Sequence, residues 1–209
     1  MKLPPSTAVV LLALSALLLT ACASGAGGDI APVGRVGLGD VWPNPPEGEV
    51  IAQGTVMDAG GDVELCLGAI AESYPPQCSG IPLTGWTWDA VEGSETASGV
   101  TWGAYAVQGT FDGESFTITQ PPMMLALFDP MMSPDPTGGR PGQGSDHELA
   151  AIQEELPGLL GDDLLGSSVQ DGRLWIDVVW DDGTRQDVAD AVYGDDMVVV
   201  RSALTLVEG

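Results

Sequence analysis

From Glu49 to about Gln120 the chain is cut into short β-rich runs by turn residues, and this punctuation constrains the fold more than any other feature. Glu49 to Met57 alternates, and Asp58-Ala59-Gly60-Gly61 supplies a turn before Val63, Leu65 and Leu67. Farther on, Val100 to Gly109 and Glu114 to Thr119 flank Phe111-Asp112-Gly113, where Asp-Gly suits a type I′ hairpin turn. Four or more short strands with no helical periodicity predict a small antiparallel β barrel or sandwich over residues 49–120.

The strand carrying Tyr105 and Val107, followed by GTFDGESFTI, resembles part of an oligonucleotide/oligosaccharide-binding (OB) barrel. Residues 121–144, with six Pro, read as a Pro/Gly linker whose apolar insert, MMLALFDPMM, either packs on the barrel or offers a docking surface.

Residues 145–209 then change period. Ser145-Asp146-His147-Glu148 fits a capping box, Leu149, Ile152 and Leu156 share a helical face, and Pro157-Gly158 predicts the helix end. Leu164 to Val169 and Arg173 to Asp181 flank Gln170-Asp171-Gly172 as a hairpin, with Leu174, Ile176, Val178 and Trp180 on one face. A second capping-box-like start at Thr184 to Asp187 predicts a helix with Val188, Ala191 and Val192 inward, stopped by Gly194. Met197 to Val207 closes as one strand, and the crossover would set it parallel to the second hairpin strand. The predicted fold class is α+β: the β domain at 49–120, then a C-terminal α-β-β-α-β domain at 145–209.

Ahead of both domains, Lys2 precedes an apolar run from Ala8 to Leu19, the pattern of a secretory signal over residues 1–21. The run is too short to span a hydrocarbon core, which takes about 20 helical residues. Leu19-Thr20-Ala21-Cys22 resembles a bacterial lipobox, and the resemblance implies cleavage before Cys22 and acylation of its thiol. Two or three acyl chains would hold the protein at a bilayer durably. Residues 22–48, rich in Gly, Pro and Ala, read as a flexible tether with Trp42 as its one large anchor. With Cys22 taken by lipid, Cys66 and Cys78 remain, and an exported protein would pair them in a disulfide.

The 30 acidic residues against 6 basic ones give a net charge of -24, which argues against nucleic acid as a partner. Removing the signal discards Lys2 and no acid, so the imbalance steepens. No GxSxG, HExxH, GxGxxG or GxxxxGK pattern occurs, and the lone His147 is placed in the first turn of a solvent-facing helix. Acid pairs such as Asp162-Asp163, Asp181-Asp182 and Asp195-Asp196 sit beside Gly or turns, where carboxylates solvate easily, and lack a DxDxDG spacing for calcium. The sequence therefore names no catalytic residue, metal site or cofactor. Trp86, Trp88 and Trp102 are the remaining candidates, either as a ligand-stacking face or as barrel core.

The lipobox, CLGAIAESYPPQCSGIPLTGW, GVTWGAYAVQGTFDGESFTIT and DGRLWIDVVWDDGTRQDVADAVYGDDMVVVRSAL together resemble actinobacterial lipoproteins that carry no assigned activity. The expectation is a lipid-anchored, extracytoplasmic, non-enzymatic binding or envelope-accessory protein whose partner is a protein or small molecule. The alternative is a cell-envelope hydrolase using dispersed carboxylates.

Overall fold

A computed structural model describes residues 36–131 and 134–207; the expected signal, Cys22 and the first part of the tether lie outside these ranges. The chain is mixed α+β, mostly strands with two helices. Its centre is a closed barrel of five strands, β1 (Val50–Ala59), β2 (Val63–Cys66), β3 (Ile81–Thr84), β5 (Val100–Phe111) and β6 (Phe116–Ile118). Neighbours run β1-β2-β3-β6-β5, and β5 returns to pair with the whole length of β1, from Val50 opposite Gly109 to Ala59 opposite Val100. All pairs are antiparallel except β3 with β6. Short β4 (Glu95–Ala97) and β7 (Met123–Met124) add to β5 outside the circuit.

Alternation along the strands fills the barrel: Val50, Ala52 and Val56 from β1 meet Tyr105, Val107 and Phe111 from β5 and Phe116 from β6. Two glycines allow the strands to close. A Cβ at Gly54 would lie 2.4 Å from the Cys66 carbonyl oxygen, and one at Gly109 2.0 Å from that of Thr117.

Both loops that begin or end at β1 and β5 use an aspartate. Asp58 Oδ1 accepts the Gly61 amide at 2.7 Å. The Asp112–Gly113 hairpin is present, but its turn is not type I′: four residues separate Phe111 from Phe116, and the Asp112 carboxylate accepts the amides of Glu114 and Ser115. Those bonds, the Ser115 amide first, hold the Asp112 carboxyl below the usual range and replace the turn's backbone pattern.

The remaining chain forms α1 (Asp146–Leu160), β8 (Leu164–Gln170), β9 (Arg173–Val178), α2 (Thr184–Tyr193), β10 (Val198–Ser202) and β11 (Thr205–Leu206). A three-stranded sheet runs β10-β9-β8, with β9 and β10 parallel across α2. Its inner face, Leu174, Ile176, Val178 and Val198, packs on Leu149, Leu156 and Leu160 of α1 and Ala189 of α2. Ser145 caps α1 as a full capping box, and its hydroxyl holds the Glu148 carboxyl below the usual range.

Several sequence expectations are corrected here. α1 does not end at Pro157 but continues to Leu160, because Leu156 and Leu160 are both buried on its inner face. α2 is not capped by its Thr184; the Asp181 carboxylate accepts the amides of Arg185 and Gln186 instead. Its inward face carries Arg185 and Ala189 with the expected Val188 packed beside them, while Ala191 is exposed. The closing strand is two strands: β10 stays in the small sheet, whereas β11 pairs with β1 at the barrel edge, and Leu204 between them is buried in the barrel core beside Val179. Within 36–48, Leu38 is buried against α1, while Trp42, the expected anchor, is 76% exposed. Asn44 donates its amide and side chain to Asp182 at 3.0 and 2.9 Å, so this stretch is seated on the C-terminal half.

Candidate functional site

β2 and β3 are short, and their pairing is confined to Glu64 opposite Pro82 and Leu65 opposite Ile81. Beyond that ladder the chain swings outward through Leu67, Gly68 and Ala69 and returns through the disulfide between Cys66 and Cys78, whose Cα atoms lie 6.1 Å apart. The excursion meets the turn between α1 and β8. A Cβ at Gly68 would lie 3.0 Å from the Leu165 carbonyl oxygen, so a larger residue would crowd the approach of the loop to β8.

A cavity of about 710 Å³ opens between these parts. Leu67, Ile81, Pro82, Leu164 and Leu165 give it apolar lining, and Glu64, Glu114, Asp162 and Asp163 line it with carboxylates. A second cavity of about 490 Å³ shares Leu67, Gly68, Ala69 and Leu165 with the first and adds Gln53, Asp177, Arg201 and Ser202. The larger cavity forms a groove beside β2, β3 and the start of β8.

Among the described residues, one of these carboxylates has a cationic partner. Asp163 pairs with Arg185 of α2, which is 4% exposed and also donates to the Trp180 carbonyl at 3.3 Å. Among the described residues no cation reaches Glu64, Glu114 or Asp162. In the second cavity, Arg201 is neutralised by a two-bond pair with Asp177, at 2.8 and 2.9 Å, and lies 5.0 Å over the Trp175 ring.

The tryptophans are not gathered in this groove. Trp86 and Trp88 contact each other edge-on at 5.1 Å, and Trp86 meets the buried Tyr105 at 4.9 Å. Both pack against the barrel core, and the Trp88 indole donates to Asp58 at 3.0 Å. Trp102 pairs instead with Tyr74, 72% exposed on the disulfide loop, at 5.4 Å. His147 is exposed near the start of α1. Among the described residues, no group of three or more His, Cys, Asp or Glu is arranged to hold a metal, and no helix is long and apolar enough to cross a membrane.

The groove residues Glu64, Glu114 and Leu165 carried no signal in the sequence, because three distant stretches supply them. The nearest hint was Asp162-Asp163 after Gly161, an acid pair at a turn. No family model, curated protein or solved structure matches this chain.

Proposed function

We propose that the protein is a lipid-anchored, extracytoplasmic, non-enzymatic binding protein whose ligand lies in the groove beside β2 and β3. One observation carries this reading: the larger cavity is lined by Glu64 and Leu65 of the second barrel strand and Ile81 and Pro82 of the third, and is bordered by the β5–β6 turn. The barrel order, first-second-third-fifth-fourth with the third and fifth strands parallel, is the order of an OB barrel, which takes ligands on its second and third strands and adjoining loops. Its volume lies within the range of ligand sites.

The charge of -24 directs this surface away from nucleic acid, in contrast to many OB barrels. The Cys66–Cys78 bridge suits an oxidising compartment. With the lipobox it supports an anchored protein on the outer face of the cell membrane, of the actinobacterial lipoprotein kind.

Two measurements test the proposal. Cys22→Ala should abolish palmitate incorporation, and undiminished labelling refutes the anchor. For the groove, Ala69→Trp places a large ring at an exposed position between the cavities without touching the core. Ligand-induced amide shifts at Leu67, Gly68, Ile81 and Leu165 should appear in the wild type and vanish in this variant.

A further inference from the structure

We infer that Trp42 makes a second contact with the bilayer: its indole rests at headgroup level on the membrane that holds the proposed Cys22 anchor, and so fixes which face of the protein meets the lipid. The inference rests on that anchor and names the surface that lies against the membrane.

Exposure singles the residue out. Among the described residues Trp42 is the most exposed of the large apolar side chains, at 76%, and Val36, at 53%, stands six positions before it. Tryptophan is highly buried on average, so a ring left mostly in water, where the chain coming from the anchor joins the fold, needs a reason.

The backbone holds the ring there. Four residues before it, Leu38 is buried against α1. Two residues after it, Asn44 donates its amide and its side chain to Asp182 at 3.0 and 2.9 Å, and its carbonyl accepts the Trp180 indole N–H at 2.9 Å. The hollow beside Trp42, bordered by Pro43, Pro45, Phe111 and Trp180, is about 50 Å³, room for a water or two and far too small for an indole. The chain is pinned on both sides of Trp42, and the ring has no place to fold into.

Position selects the occupant. Val36 lies 14 positions after Cys22, so the chain between them spans at most about 50 Å when fully extended. With acyl chains in the bilayer, Trp42 is confined within reach of the lipid surface. A contact too weak to hold a free protein is then populated, because the tether sets a high local concentration. Tryptophan suits this depth: its ring is apolar, and its N–H can meet headgroup oxygens. Asp40 and Glu47, exposed on either side of it, keep the contact at the headgroups and favour a zwitterionic surface, since a chain of net charge -24 is repelled by an anionic one.

The test places the acylated full chain in phosphatidylcholine vesicles with and without lipids brominated high in the acyl chain, which quench tryptophan emission on contact. Wild-type emission should fall in brominated lipid. In Trp42→Phe the fall should shrink by about threefold or more, whereas Trp102→Phe, which removes the ring paired with Tyr74, should leave it within about a fifth of the wild-type value. Trp42 is exposed, so its variant should keep the wild-type thermal midpoint, which confirms that any loss of quenching is local. Vesicle-bound protein without quenching, or with equal quenching in Trp42→Phe, overturns the inference and leaves the anchor standing. Protein that does not stay with the vesicles removes the anchor and this contact with it. If the wild type sediments in detergent as a dimer and Trp42→Phe as a monomer, the ring belongs to a contact between copies and the membrane assignment falls.

Discussion

Arg185 of α2 reaches across to Asp163 and ties the helix to the turn that forms one wall of the groove. The arginine is buried, the aspartate 41% exposed, and the guanidinium spends a further bond on the Trp180 carbonyl. One side chain thus fixes α2, the end of β9 and the groove wall together.

Arg185→Ala should therefore destabilise the protein by about 2 kcal/mol, below the cost of breaking a fully buried pair because Asp163 can rehydrate. Arg185→Met keeps the aliphatic packing and should recover part of that loss. Urea denaturation checks both, and a wild-type midpoint for Arg185→Ala would contradict the wall's dependence on this contact.

The seating of residues 42–46 should fail in acid. The hydroxyl of Thr184 first, then the side chain of Asn44, hold the Asp182 carboxyl far below its usual range. A carboxyl depressed in the folded state stabilises it fully above its unfolded pKa of about 4 and loses that contribution as pH falls further. Asp182→Asn should flatten the drop in stability between about pH 4 and 2 relative to the wild type. Trp180, whose indole donates to the Asn44 carbonyl at 2.9 Å, offers a fluorescence readout. Parallel acid limbs in the two proteins would show that Asp182 carries none of this effect.

The capping box at Ser145 and the Asp171–Gly172 turn were legible in the sequence because each is settled within four residues. Asp171 and Gly172 both have positive φ, at 51° and 72°, as Asp-Gly in a type I′ turn requires. At Asp112–Gly113 the same dipeptide stands, yet the aspartate side chain captures the following amides and the turn changes type. Pro157 reads locally as a helix stop, but burial of Leu156 and Leu160 outweighs one missing amide. Period-two alternation predicts a strand near the C-terminus without saying which sheet it joins, so the transfer from β10 to β11 at Leu204 was invisible. The groove was hidden for a related reason. Residues 64–69, 79–82 and 161–165 meet only through tertiary packing, and each alone is an ordinary loop or strand end.

Cys66 and Cys78 close a 12-residue separation, so replacing both by Ala should cost about 3 kcal/mol on the chain-entropy scale. The change should also loosen the Leu67–Ala69 side of the groove. Denaturation with and without reductant, with amide exchange at Gly68, measures both effects; an unchanged midpoint would mean that the bridge does not constrain the unfolded chain.

Tyr105 is fully buried and donates its hydroxyl to the Glu92 carbonyl at 2.9 Å, while Trp86 packs edge-on against its ring. Tyr105→Phe should cost about 1 kcal/mol for the lost bond. Trp86→Ala should cost about 3 kcal/mol for lost packing, and Trp102→Ala less, since its partner Tyr74 is exposed. Thermal melts of the three variants would rank them; a stable Trp86→Ala would return that ring to the list of free ligand surfaces.

The proposed ligand site is the groove beside β2 and β3. The most direct measurement maps amide shifts of the labelled protein against a panel of cationic peptides, oligosaccharides and small amines, repeated on Ala69→Trp. The predicted result is a response centred on Leu67, Gly68, Ile81 and Leu165 that the variant abolishes. A response centred elsewhere, one that survives Ala69→Trp unchanged, or none across the panel would contradict it.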